Sequence, residues 1–121
     1  MKRTDTVVDG VVVQLGANNI IEPRSTGVVL GVALGCRTVD VQNGPDDPTE
    51  TLLLCEVAIG SDVQALLSGT APAGGGLLYP TAVGTLTATP MGEPVGSLCP
   101  KALSETTPYK DGDVVNVVLG R

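Results

Sequence analysis

Apolar residues in this chain come in short runs separated by glycine, proline and polar clusters. "VVVQL" (11–15) reads as a first strand, and Ile20-Ile21-Glu22 as a short extended piece before Pro23, since a residue preceding proline is biased away from helix. "GVVLGVAL" (27–34) is a strand interrupted by Gly31, where a glycine marks a bulge or a close backbone approach. "CRTVDVQ" (36–42) alternates and fits a half-buried strand, "NGPDDPTE" (43–50) is an acidic loop, and the apolar "TLLLCEVAI" (51–59) reads as a central strand. In "GSDVQALLSG" (60–69) the period changes. Ser61 is a cap residue, and Val63, Leu66 and Leu67 share a helical face, so one or two helical turns are expected over 61–68. Strands follow at "GLLYP" (76–80), "GTLTAT" (84–89), "VGSLC" (95–99) and "VVNVVLG" (114–120), with a surface loop over 100–113.

Two stretches echo each other. "GVVLGVAL" (27–34) aligns with "GEPVGSLC" (92–99), each followed by a polar loop and an aliphatic strand ending in glycine, "TLLLCEVAIG" or "DVVNVVLG". A duplicated β motif and convergent turn chemistry both explain this.

Composition sharpens the all-β expectation. Valine, leucine and alanine carry the burial; there is no Trp or Phe, and the only aromatics are Tyr79 and Tyr109. Branched aliphatics pack well on a pleated surface, and 16 glycines and nine prolines supply turns. The expectation is a small β-barrel, tulip-like or sandwich domain over 10–121, with at most one short helix near 61–68 and a polar, mobile arm over 1–9. Charged residues are 17% of the chain, low against roughly 25% in ordinary domains, so part of the surface is expected to meet protein, in an oligomer or a larger assembly. The net charge of −6, with no basic stripe beyond Lys2-Arg3, argues against nucleic acid and against anionic membranes. The first residues lack the apolar core of a secretion signal, and Cys36, Cys55 and Cys99 are expected to be reduced, mostly buried thiols of a protein made in a reducing cytoplasm.

Candidate chemistry is sparse. The chain has no histidine, which removes Ser-His-Asp and Cys-His constellations. Gly74-Gly75-Gly76 is followed by Leu77-Leu78 rather than Lys-Ser/Thr, so it is read as a turn bringing Leu77 and Tyr79 into a sheet and not as a phosphate loop. Asp46, Asp47 and Glu50 lack calcium-loop spacing, Asp111-Gly112 is turn chemistry, and nothing pairs Glu93, Glu105 and Asp113 as acid and base. No cofactor, metal or catalytic residue is assigned.

The second half carries a further pattern: a small-residue segment before "LY" (78–79), "G-x-L-T" (84–87), "G-x-P-V-G" (92–96), a polar loop, and "G-D-V-V-x-V-x-L" (112–119). Together with "TGVVLGVALG" (26–35), this resembles the small head-decoration, or capsid cement, proteins of tailed bacteriophages, also described as capsid fibre proteins. The resemblance covers roughly residues 20–121, and the chain departs from it in the acidic loop at 43–50 and in its cysteines. It implies a non-catalytic virion protein on the outer capsid surface. Such proteins commonly sit as trimers at junctions between major capsid proteins and stabilise the expanded shell. Lys2, Arg3, Thr4, Thr6, Val7 and Val8, in the N-terminal arm, are the candidate capsid contacts, through an arm that orders on the shell. The alternative is a receptor- or carbohydrate-binding β-domain on the virion surface.

Overall fold

The computed structural model describes residues 1–120. It is an all-β fold, as expected. The strands are β1 (Val12–Leu15), β2 (Ile21–Pro23), β3 (Gly31–Val41), β4 (Glu50–Ala58), β5 (Val63–Leu66), β6 (Gly76–Pro80), β7 (Leu86–Thr87), β8 (Gly96–Leu98) and β9 (Val114–Leu119). They form two antiparallel sheets, ordered β2-β1-β3-β4 and β7-β6-β8-β9-β5.

Residues 1–4 complete the first sheet. The Arg3 N–H donates to Leu53 O (3.0 Å) and the Cys55 N–H to Met1 O (2.9 Å), while the Thr4 N–H donates to Ile21 O and the Ile21 N–H to Lys2 O (2.9 Å each). The strip therefore bonds β4 on one side and β2 on the other, and closes the sheet on itself. In the second half β5 does the same: it pairs antiparallel with β9, and Leu67 bridges in parallel to Leu86 of β7. Closure removes exposed strand edges.

The two halves are one motif built twice. Beyond strand order and closure, individual bonds recur. Leu30 N–H to Val13 O (2.8 Å) matches Val95 N–H to Leu78 O (2.9 Å), and Gly16 N–H to Ile20 O matches Thr81 N–H to Thr85 O (2.8 Å each). Gly31 and Gly96, the aligned glycines, each open a strand where a Cβ would strike a carbonyl of the strand that follows, Ala58 O or Val118 O. Convergent turn chemistry accounts for isolated glycines but not for shared pairing and closure, so the duplicated motif is the explanation that fits.

Each half has its own core. Val7, Val11, Val13, Ile21, Ala33 and Cys55 fill the first; Leu67, Leu78, Leu86, Leu98, Val115 and Val117 are central to the second. Val12 and Val32 point to the opposite face from Val11, Val13 and Ala33, and they pack into the second core. This is the seam between the halves.

Several expectations are corrected. Residues 1–9 are not a mobile arm: their backbone closes the first sheet, and Val7 is fully buried. The helical turns expected over 61–68 are strand β5. Val63, Ala65 and Leu67 face inward at period two, pairing with β9 overrides the helical spacing, and Asp62, where the first helical turn was expected, has φ +62°. The strand expected from residue 27 begins at Gly31 and runs on to Val41, joining most of the 36–42 strand across a bulge between Leu34 and Arg37, with Gly35 at φ +62°. Beyond the bulge it is largely exposed, not half-buried. β4 does lie between two neighbours, β3 and the N-terminal strip, but only Cys55 in it is fully buried. Gly74–76 forms the expected turn into β6, although Leu78 rather than Leu77 is the inward residue. Gly75, at φ +84°, lies so close to Leu98 O that no side chain fits there.

Candidate functional surface

The six N-terminal candidates divide by role. The Arg3 guanidinium donates to Leu54 O (3.0 Å), Val7 O (3.2 Å), Thr4 O (3.3 Å) and Arg37 O (3.1 Å). It ties the strip to β3 and β4. Val7 is core, and the partly buried Thr4 shares a hydroxyl contact with Thr6 (3.0 Å). Lys2, Thr6 and Val8 are exposed. Thr4 and Thr6 line a groove of about 360 Å³ that also includes Glu22, Pro23 and Val83. Its one carboxylate, on Glu22, accepts from the Gln14 amide at 2.8 Å. Gln14 is itself almost buried; its oxygen takes the N–H groups of Ser25 (3.0 Å), Thr26 (3.3 Å) and Gly27 (2.7 Å), which fixes the loop leading to β3.

A second groove, of about 400 Å³, was not foreseen from the sequence. Val28, Val29 and Leu30 form one wall, and Ile59, Pro94, Val95 and Leu119 the rest. Among the described residues its lining carries no ionisable side chain. Val28 is 88% exposed and Ile59 71% exposed, which is unusual for large aliphatics lying together. The groove sits where corresponding ends of the two halves meet: Leu30 and Val95 precede the paired glycines, while Ile59 and Leu119 precede Gly60 (φ +92°) and Gly120 (φ +85°).

A third feature is the distal ribbon of β3 and β4, residues 37–41 paired with 50–54. An exposed Arg37–Glu56 ion pair (3.0 Å) stands at its base, and the Thr51 hydroxyl donates to Asp40 (2.8 Å). At the tip the Gln42 amide donates to Pro45 O (3.2 Å) and Asp47 O (2.8 Å), which organises the acidic loop. Among the described residues no group of His, Cys, Asp or Glu side chains gathers to hold a metal ion.

The three cysteines are free thiols, Cys55 buried and Cys36 and Cys99 half-buried. Asp9 accepts the Cys36 N–H at 2.8 Å, which holds its carboxyl below the usual carboxylate value. Desolvation first, and the Asp9 hydrogen bond second, push the Cys36 thiol up to about 12 from 9.0. The fold therefore favours the neutral thiol. That contribution is whole below pH 9 and fades as pH rises towards 12, because only the unfolded chain ionises in that window. At pH 8, Cys36 is expected to react with a maleimide on the order of 100–1,000-fold more slowly in the folded protein than in urea, as peptide mapping would resolve. Equal rates would contradict this environment.

Both tyrosines are half-buried; the Tyr109 hydroxyl donates to Cys99 O (2.8 Å), and Lys101 Nζ lies 4.7 Å from its ring centroid. Among the described residues no helix is long and apolar enough to cross a membrane. Compared with protein-family models, curated proteins and solved structures, the chain matches none.

Proposed function

We propose that this protein is a structural, non-catalytic component of a tailed-phage virion. It binds the outer capsid surface, stabilises the expanded shell as a cement protein, and acts as an oligomer, a trimer, at junctions between major capsid proteins. The observation that carries this reading is the aliphatic groove at 28–30, 59, 94–95 and 119. It is a recess with large exposed apolar side chains and, among the described residues, no ionisable one. Such a recess gains free energy by being covered with another apolar surface. The sparse charge and the motif resemblance of residues 20–121 support the same reading. The exposed Lys2, Thr6 and Val8 remain candidate shell contacts.

The test is reconstitution. Purified protein is added to undecorated expanded capsids of the encoding phage, and bound copy number and disruption temperature are measured. Stoichiometric binding with a raised disruption temperature is expected. Val28→Asp with Ile59→Asp is expected to weaken binding on the order of 100-fold, from the apolar burial of two side chains, with an unchanged melting temperature. Failure of the wild-type protein to bind, or wild-type affinity in the double variant, would overturn the assignment or the groove's role respectively.

A further inference from the structure

Each half presents an outer row of side chains across its sheet. In the first half Val12, Val32 and Ala58 stand side by side in register. In the second half Leu77, Ser97 and Val118 take the same places. The first row is covered: Val12 and Val32 are buried in the second core, and Ala58 packs against it. The second row is bare, with Leu77 48% and Val118 39% exposed.

The seam that covers the first row is made by the 81–84 turn and by β5. The Val12 N–H donates to Gly84 O (2.7 Å), and the Leu66 N–H donates to Gly10 O (2.9 Å). A two-fold relation between the halves would make these contacts reciprocal. Leu77 would then meet the carbonyl of Asn19, the counterpart of Gly84, and Gly75 would meet Lys2. Neither occurs. Among the described residues no backbone bond joins Lys2 to Gly75 or Leu77 to the first half, and Gly75 lies against Leu98 and Pro100. Unlike faces meet at the seam. A contact of that kind leaves one face of each type unused, one on each half.

The unused partner face is the turn at residues 17–20. Asn19 (φ +60°) holds the same left-handed backbone as Gly84 (φ +86°), and Asn18 and Asn19 are exposed. We propose that a second copy of this chain sets its 17–20 turn on the Leu77–Ser97–Val118 row, repeating between molecules the contact that joins the two halves within one. The occupant is a second copy because the matching turn belongs to this chain, and because the intramolecular seam already shows how such a turn sits on such a row. Head-to-tail contacts close into a ring or continue as a fibre. A ring of three would hold six halves in one repeating series. The junction between copies is weaker than the seam. A Cβ at Gly84 would lie 2.6 Å from Val11 Cγ1 and 2.7 Å from Val12 O, and Asn19 carries such a Cβ. The inference concerns contacts between copies and stands apart from what the assembled ring binds.

Sedimentation of the full chain from micromolar to millimolar concentration tests it. The wild type is expected to form one discrete oligomer, and Leu77→Asp and Asn18→Asp, each placing a carboxylate at the junction, to weaken it at least 10-fold. Asn19→Gly is expected to tighten it. Mixed in equal amounts, the two acidic variants retain one good turn and one good row between them, so they should form dimers and stop there. Amide exchange at Leu77 in the wild type, slowing as concentration rises, gives a readout that needs no variant. A wild type monomeric at 1 mM, an oligomer indifferent to Leu77→Asp, or a mixture that stays monomeric would overturn the proposal.

Discussion

Deleting residues 1–4 is expected to unfold the first half of the molecule while the second half keeps its structure. The strip makes five main-chain hydrogen bonds to the sheet, three to β4, one of them from the Met1 nitrogen to Cys55 O (2.7 Å), and two to β2, and it brings the Arg3 guanidinium onto the carbonyls of Leu54 and Arg37. At about 1 kcal/mol net per bond, and more for those of a charged donor, the loss is on the order of 5 kcal/mol. Single domains carry only about 5–15 kcal/mol in total. Two strand edges also lose their cover, and Val7 loses the segment that anchors it in the core. Native-state amide exchange is the measurement. Val13, Ile21 and Ala33 should exchange nearly as in an unfolded chain, and Leu78, Leu86 and Val117 should stay protected. Uniform protection in the truncated protein would show that the strip is dispensable.

The second large effect concerns the paired core positions Ile21 and Leu86. Both are fully buried, and both accept a bond from the segment that closes their half: Thr4 N–H to Ile21 O at 2.9 Å and Ser68 N–H to Leu86 O at 2.7 Å. Truncating either to alanine removes buried methyl groups and leaves a cavity beside a short strand that has little room to collapse. Each of Ile21→Ala and Leu86→Ala is expected to cost about 3–4 kcal/mol, which lowers the melting temperature by roughly 10–20 °C. If the halves are built alike, the two costs agree within about 1 kcal/mol. Urea denaturation of both variants decides this, and a cost under 1 kcal/mol at either site would show that its closure is slack.

Much of the fold was legible because valine runs and turn residues speak locally. β1, β6, β8 and β9 fall where the apolar alternation lies, and the glycine echo at 27–34 and 92–99 marks corresponding places in the two halves. The closing strip was not legible. Its bonds are made by backbone, so the polar side chains of Lys2 and Thr4 gave no strand pattern. β5 was misread because Val63, Leu66 and Leu67 satisfy a helical face as well as a strand, and only β9, some fifty residues on, resolves the choice. The ribbon's exposure was hidden for a related reason: alternation at 36–42 says which residues share a face, not whether anything lies against that face. The candidate surface was the least legible part. The aliphatic groove draws on segments around 28, 59, 94 and 119, which no window of sequence brings together. The polar N-terminal candidates proved half structural, with Arg3 and Val7 holding the fold and Lys2, Thr6 and Val8 facing outward.

The division into two halves has an optical consequence. Tyr79 and Tyr109, the chain's only aromatic residues, both belong to the second half. Intrinsic fluorescence and near-ultraviolet dichroism therefore report on that half directly, and sense the first only through the seam, where Val12 and Val32 share the core that Tyr109 packs against.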